Sequence, residues 1–330
     1  LLHSEVQLSV FGNMKRHTYK ELNQHFAGEL TDLPAKTIEN LDKLRAIASK
    51  RRKQLLDPLS AVEMPEFQIQ TAADHTLMGT WKARGPAEHL VEQLMVLAGE
   101  ATGRYCKEHN LKVAYRAMLL RDEMRNVEVK ELKVPPAQIH LMDEESRGIV
   151  AQHFAGIREA TSAFHTIEPT PHERLGLEQY VRITSPLRRY SDIISHRQIK
   201  QHLRGMKPIY TPVVLEAMCR NLDRGEKSYR YLERLQRESY AQRYALQEYL
   251  KTGEEMHAIV VSEHRSTNSM THPGLGRTLK RYPQLTYVSE LGVLTTVDLP
   301  TPTSPGSVVP VIPSMHGNRI EANLPEFDGK

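Results

Sequence analysis

The 330-residue chain is short of cysteine, of aromatic side chains and of long apolar runs. Its two cysteines, Cys106 and Cys219, allow neither a disulfide framework nor a cysteine-based zinc site, and they suit a reducing compartment. No stretch is apolar for long enough to span a bilayer, so no transmembrane helix is expected. His153, His165 and His172 are scattered, and no HExxH or similar spacing occurs; internally bonded or surface histidines are expected there, not zinc ligands. No internal repeat or low-complexity tract is present, and Trp81 is the sole tryptophan. Charge of one sign is also lacking: 44 basic residues face 40 acidic ones, a net of +4. That balance does not point to nucleic acid by itself, so a basic footprint must be local. The chain opens at Leu1 rather than Met, inside what reads as an ongoing domain, so the lack of a targeting peptide carries no information.

What is present reads as an α+β protein with room for two domains. VQLSVF (6–11) alternates like a short strand. HTYKELNQHFAGEL then reads as a Thr-capped helix, with Glu21 at capping-box distance from Tyr19 or Thr18. Residues 37–56 have helical periodicity with Ile38, Leu41, Leu44, Ile47 and Ala48 as the apolar stripe. That segment ends in Lys50-Arg51-Arg52-Lys53, either a solvated face or a patch that tracks a nucleic-acid backbone. EFQIQ (66–70) is a strand candidate. A helix is predicted from about Pro86 to Glu108, burying Leu90, Val91, Leu94, Met95, Leu97, Ala98 and Ala101. VEVKELKV (127–134) reads as a strand and 144–166 as a helix, with Ile149, Val150, Phe154 and Ile157 spaced for burial. A long helix is predicted from Pro212 to Lys251, stopped by Gly253, with Tyr229, Leu232, Leu235, Tyr240 and Tyr244 as its packing face. From residue 254 the pattern turns to short β-rich runs: MHAIVV (256–261), LTYVSELGVLTTVDL (285–299) and VVPVI (308–312).

One stretch is denser in chemistry than the rest: GLEQYVRITSPLRRYSDIISHR, residues 176–197. Ser185 and Pro186 read as the cap and first position of a helix running to about Leu203. Leu187 and Ile194, with Ile193 or Tyr190, are its expected buried side, and Arg188, Asp192 and His196 fall on one stripe. Two arginines in a first helical turn oppose the helix dipole unless an anion is bound. Arg188 and Arg189 then make either a phosphate cradle or a solvated helix start whose arginines pair with Asp192. Residues 181–250 hold 14 Lys and Arg against 7 Asp and Glu, the most basic region of the chain. That local excess favours an RNA channel.

The pattern GL-x-x-Y-x-x-x-TSPLRRY-x-D-x-x-x-HR resembles the signature helix of the RNB domain, the catalytic domain of the RNase II family of exoribonucleases. Gly176, Leu177, Tyr180, Thr184, Ser185, Pro186, Arg188, Arg189, Tyr190, Asp192, His196 and Arg197 carry it. Arg182-Ile183 departs from the family's usual His-Phe. LVEQLMVLAGEA (90–101) resembles the family's buried L-[IV]-E-E-x-M-x-x-A-N helix, with Gln93 and Gly99 as departures. AYRAMLLRDE (114–123) is similar to its Tyr-Arg-x-His element, with Met118 or Ala117 in place of the His.

The resemblance implies an RNB-type catalytic domain over 1–253, mostly its helical half, followed over 254–330 by a divergent OB-like barrel. Tyr282 and Tyr287 are the only base-stacking candidates of that barrel. It implies processive 3′-to-5′ hydrolysis of single-stranded RNA to nucleoside monophosphates with Mg2+. Arg188 and Glu92 become the catalytic candidates. Tyr180, Thr184, Ser185, Arg189, Tyr190 and Arg197 become the RNA-binding set, while Pro186, Asp192 and His196 hold the structure. No D-x-x-x-x-x-D-x-D-D arrangement occurs, so no metal ligand is expected in this chain. The ligands are expected upstream of Leu1, and residues 1–330 alone are expected to be inactive. The alternative is a non-catalytic RNA-binding relative. The expected partners are single-stranded RNA and an RNA helicase or degradation complex, not a membrane. Divergent relatives with such barrels point to a mitochondrion first and the cytoplasm second.

Overall fold

The computed structural model describes residues 4–12, 14–29, 33–54, 62–120, 132–159, 162–263, 268–271, 278–314 and 320–322. In chain order the helices are α1 (Tyr19–Phe26), α2 (Ala35–Gln54), α3 (Pro86–Glu108), α4 (Glu144–Glu159), α5 (Tyr190–Leu203) and α6 (Pro212–Thr252). The strands are β1 (Val62–Glu63), β2 (Glu66–Thr71), β3 (Leu77–Lys82), β4 (Tyr115–Ala117), β5 (Leu132–Lys133) and β6 (Phe164–Thr166). Six more form the C-terminal sheet: β7 (Met256–Val260), β8 (Asn268–Thr271), β9 (Thr278–Val288), β10 (Val293–Leu299), β11 (Val308–Pro313) and β12 (Ile320–Ala322). The chain divides into two compact units that interleave in sequence. The first is Leu1–Asp57, Arg84–Val127 and Ala160–Tyr229; the second is Pro58–Ala83, Glu128–Glu159 and Arg230–Lys330.

In the first unit, α1 starts where its capping signal predicts. Thr18 Oγ1 accepts the Glu21 N–H at 3.2 Å, and Glu21 Oε2 accepts the Thr18 N–H at 2.7 Å. α1 also caps α3: Asn23 Oδ1 accepts the Ala87 N–H at 2.8 Å, and its amide donates to Glu88 at 2.8 Å. A side chain at Gly85 would meet that amide, its Cβ falling 2.4 Å from Asn23 Nδ2. α3 matches the predicted span. Its tightest face, however, runs through Gly99, Thr102, Gly103 and Cys106. The expected apolar positions other than Leu90 are only partly buried. Gly99 is required by close approach, because a Cβ there would lie 2.2 Å from Tyr180 Cε2. Cys106, Leu111, Val113, Tyr115, Val181 and Ile199 form one core, and Ala114, Ile167, Ile194, Leu215 and Cys219 another. Two expectations fail here. Residues 6–11 form no strand, and Val10 and Phe11 are exposed. Of the α2 stripe only Ala48 is buried, while Leu44 and Ile47 face solvent.

The second unit is built around the C-terminal sheet. Its order is β10-β9-β7-β11-β12 with antiparallel neighbours, and β8 pairs with β9. β10 also approaches β12, so the sheet nearly closes on itself in the OB-like manner. Met256, Ala258, Val260, Val288, Val297, Leu299 and Val311 alternate into its core, joined by Ala241 and Ala245 of α6. The β2–β3 hairpin packs Phe67 and Ile69 on this core. Gly292 turns β9 into β10 at φ +60°, with no room for a Cβ against Phe67. The predicted strand at 127–134 lies outside the described residues except for β5, which pairs in parallel with β1. The helix expected over 144–166 ends at Glu159, Ile157 is exposed, and 164–166 is strand β6.

α6 has its predicted span, and the left-handed Gly253 (φ +69°) ends it. Of its predicted packing face only Tyr244 packs, partly buried against the barrel core. Tyr229, Leu232, Leu235 and Tyr240 are exposed, whereas Leu215, Cys219, Ala241 and Ala245 are buried. Beside the barrel core the small Ala241 and Ala245 take the buried side, and Tyr229, Leu232, Leu235 and Tyr240 point outward.

Candidate functional site

The signature stretch folds differently from its cap signal. Residues 186–188 form a turn, in which the Ser185 carbonyl accepts the Arg188 and Arg189 N–H groups at 3.2 and 3.0 Å. α5 begins only at Tyr190, after Arg189 in extended conformation (φ −126°, ψ 116°). Arg188 therefore lies outside the helix, and only Asp192 and His196 share the expected stripe. Leu187 and Tyr190, expected to be buried, are exposed; Ile194 is buried as expected.

Asp192 is the cause. It is fully buried, in the first turn of α5, where the helix dipole favours a carboxylate. Its Oδ2 accepts the Ser185 N–H at 2.9 Å and Arg189 Nε and Nη2 at 3.1 and 2.8 Å. Its Oδ1 accepts Ser191 Oγ at 3.0 Å. Folding the turn back over this carboxylate takes Ser185 and Pro186 out of the helix. Arg189 is completed by Thr184 Oγ1, which accepts Nη2 at 3.0 Å. Further along, His196 Nε2 lies 2.8 Å from the Ile183 carbonyl, and Arg197 donates to the Tyr210 hydroxyl at 2.7 Å.

Arg188 has none of this. Its side chain is exposed and makes no hydrogen bond or ion pair with any described residue. One arginine of the pair is locked to a buried carboxylate, and the other stands at the surface beside exposed Leu187 and the half-exposed Tyr190. The alternative in which both arginines pair with Asp192 is not what forms.

The remaining candidates are spread among other duties. Tyr180 is buried; its carbonyl accepts the Arg116 N–H at 2.8 Å and its ring packs where Gly99 makes room. That ring is enclosed in the fold and does not present a stacking face. Glu92 is 49% exposed, 3.6 Å from Arg84 and 3.8 Å from His89. The neighbouring His89 first, and then the charge of Arg84, hold its carboxyl below the ordinary value. In the second unit, Tyr287 is buried and stacked on Phe154 with centroids 4.5 Å apart, which removes it as a base platform.

Sequence reasoning missed a buried ion network in the first unit. Arg116 is 2% exposed, with Nη2 2.7 Å from Glu226 and Nη1 3.5 Å from Asp223. Asp223 Oδ1 lies 2.7 Å from His165 Nδ1, and its two oxygens accept the His165 N–H at 3.0 and 3.1 Å. The ring nitrogen also lies 3.1 Å from Arg116 Nη1. The shorter carboxylate contact places the proton on Nδ1, so the guanidinium contact is electrostatic only. Glu226 accepts Arg182 as well, at 2.9 Å. Burial first, then the Arg116 charge, push the His165 pKa down against the pull of Asp223. Two signals mark this network in the sequence. One is a single charge inside the apolar run VAYRAMLL; the other is a carboxylate pair at 223 and 226, on one face of α6.

The arrangement offers a surface guanidinium at a turn braced by the buried Asp192 of α5. The RNB domain family model matches residues 1–205. The chain is 33% identical over 164 residues to an uncharacterized ribonuclease of Synechocystis sp., covering 49% of this chain and 22% of that protein. It is 32% identical over 123 residues to the mitochondrial exoribonuclease II of Saccharomyces cerevisiae, covering 36% of this chain and 12% of that one. The chain therefore matches less than a quarter of the length of either. Among solved structures, the Dss1 exoribonuclease of Candida glabrata superposes at TM-score 0.69 and 17% identity, over 94% of this chain and 38% of that one. Mycoplasma genitalium RNase R in complex with ribose-methylated single-stranded RNA does so at 0.64 and 14%, over 92% and 49%. With that match over residues 1–205, more than half of the chain, and the fold to accompany it, the chain belongs to the RNB-domain family.

Proposed function

We propose that this chain serves the 3′-to-5′ hydrolysis of single-stranded RNA to nucleoside monophosphates, with Arg188 as the donor to the scissile phosphate. The observation that carries the reading is the division of labour at the turn. Arg189 is spent on Asp192 and Thr184, whereas Arg188 is held at the surface by that same turn with its five N–H donors unused. A planar guanidinium matches the paired oxygens of a phosphate, and hydrolysis builds negative charge on those oxygens. A donor already in place lowers that barrier without having to reorganise. Tyr190, Thr184 and Ser185 flank the turn and are the proposed contacts to neighbouring phosphates. Arg197, bonded to Tyr210, is the proposed contact at the next turn of α5.

Mg2+, which the family resemblance implies, has no fitting site among these residues. It demands several oxygen ligands in near-octahedral geometry. Both oxygens of Asp192 are already taken, and Glu92 is engaged with Arg84 and His89. The proposed reading assigns the metal carboxylates to sequence beyond this chain. The same observation supports the second reading, an RNA-binding relative without catalysis; the yeast pseudonuclease Ssd1 superposes at TM-score 0.50. Single-stranded RNA is the proposed ligand, a helicase or degradation complex the proposed company, and a mitochondrion the proposed place. Among the described residues, no helix is long and apolar enough to cross a membrane.

The test is Arg188→Lys and Arg188→Ala in the whole protein that carries this chain, by single-turnover kinetics with saturating RNA. Loss of one preorganised donor is expected to slow the chemical step by roughly 10²–10³-fold, with RNA affinity little changed. A near-normal chemical step in Arg188→Ala removes Arg188 from catalysis. If the parent binds RNA and has no chemical step to slow, the non-catalytic reading holds.

A further inference from the structure

Three residues far apart in sequence meet in the second unit. His140 comes from the 3-10 turn Ile139–Leu141, His257 from β7, and Glu290 from the turn between β9 and β10. Glu290 is held by its neighbours: the His257 N–H donates to Oε1 and Oε2 at 3.1 and 3.0 Å. Its Oε1 then lies 2.8 Å from His257 Nδ1 and 3.8 Å from His140 Nδ1. The two imidazole rings stack at 4.1 Å between centroids and 11° between planes. His140 Nδ1 is buried and has no hydrogen-bond partner.

That orphan nitrogen separates two explanations. A plain hydrogen-bonded pair satisfies His257 through Glu290 and leaves His140 unpaid for in a buried position, at a cost of about 1–3 kcal/mol. A cation shared by all three satisfies every donor atom. The three atoms already lie within 4.8 Å of one another. Ligand atoms 2.0–2.2 Å from a tetrahedral zinc ion stand roughly 3.3–3.6 Å apart, a range bracketed by the 2.8 and 3.8 Å from Glu290 to the two rings. Two imidazole nitrogens and one carboxylate oxygen suit a borderline ion such as Zn2+, not Mg2+ or Ca2+. A bound ion lies in the plane of each ring, so one stacked ring must turn about its Cβ–Cγ bond. His257 has room for that at 39% exposure, and the same opening leaves a fourth position to water.

We propose that His140, His257 and Glu290 form a Zn2+-class transition-metal site. It would pin the 3-10 turn to β7 and the β9–β10 turn, and it is independent of the RNA chemistry proposed above. The experiment uses the full chain, stripped with a chelator and dialysed, then titrated with CoCl2 and ZnCl2. The expected result is uptake of about one Co2+ per chain, with the intense visible absorption of four-coordinate cobalt, displaced by Zn2+ and untouched by Mg2+. His140→Ala and His257→Ala are each expected to weaken binding tenfold or more, and excess Zn2+ should raise the melting temperature of the parent but not of the double variant. Lack of stoichiometric uptake by the folded parent overturns the site. So does unchanged uptake in the folded double variant, which places the metal on other histidines. Should the double variant fail to fold, Glu290→Gln decides, since undiminished affinity in that isostere also overturns the assignment.

Discussion

Arg188 and Arg189 are neighbours of identical chemistry, and the fold gives them opposite jobs. The difference is set by Asp192, which has no exposure and holds Arg189, Ser185 and Ser191 at once. Removing that carboxylate leaves a partly buried guanidinium and an N–H without partners. Asp192→Ala is therefore expected to cost about 3 kcal/mol in urea unfolding. Arg188→Ala, at a free surface position, should stay within about 0.5 kcal/mol of the parent. Equal midpoints for parent and Asp192→Ala would mean that the turn does not depend on this carboxylate. The residue scale is also where sequence reading was weakest. Ser185-Pro186 is a sound helix start by its local chemistry, and it loses because four hydrogen bonds to Asp192 outweigh one cap. The Arg116 network was hidden for a different reason: its partners His165, Asp223 and Glu226 lie 49 or more residues away.

At the scale of elements, the spans of α1 and α3 and the barrel strands were legible because their caps and alternation are local signals, whereas the tight face of α3 follows small residues that periodicity does not mark. Thr18 and Glu21 cap α1 as read, and Pro86 opens α3. The face of α6 was not, since bulky apolar residues and alanines both recur at helical spacing, and only the closeness of the core chooses between them. The segment linking β6 to α5 carries a pH consequence. His172 is buried there, its Nδ1 unpartnered. Burial, followed by the Arg116 charge, push its pKa from 6.5 down to about 4. The folded chain thus refuses a proton that the unfolded chain takes up. Stability from this group is complete above about pH 6.5 and falls as pH drops towards 4, by about 1.4 kcal/mol per unit at most. His165 is shifted in the same direction. Unfolding free energies at pH 7 and pH 5 should differ by about 2 kcal/mol less in His172→Gln than in the parent. Parallel pH profiles would assign the acid sensitivity to other groups.

At the scale of the whole molecule, the basic excess of residues 181–250 comes mostly from Arg182, Arg188, Arg189, Arg204 and Lys207, outside the helices, while α5 and α6 are nearly balanced. Asp223 and Glu226 turn inward, while Arg220, Arg224 and Arg230 are exposed. Reversing those three charges is expected to weaken single-stranded RNA binding and to flatten the slope of log K against log salt by about 0.7 for each lost phosphate contact. An unchanged slope in filter binding would place them on an idle surface. Residues 1–330 purified alone are expected to bind RNA and to release no mononucleotides with Mg2+, because the carboxylates described here are engaged elsewhere. Mononucleotide release by that polypeptide would overturn the assignment of metal ligands to other sequence.

The interleaving of the two units sets an order of assembly on the ribosome. The first unit has all its stretches once Tyr229 has emerged, whereas the second waits for β12 at Ile320–Ala322. At synthesis rates of about 5–20 residues per second, that gap lasts roughly 5–20 s. During it, Phe67 and Ile69 of the β2–β3 hairpin, and Val150 and Phe154 of α4, exist without the barrel they are built to cover. The nascent chain thus passes through a stage in which these covering segments precede their barrel, and chaperone attention belongs to residues 62–82 and 132–159 during those seconds.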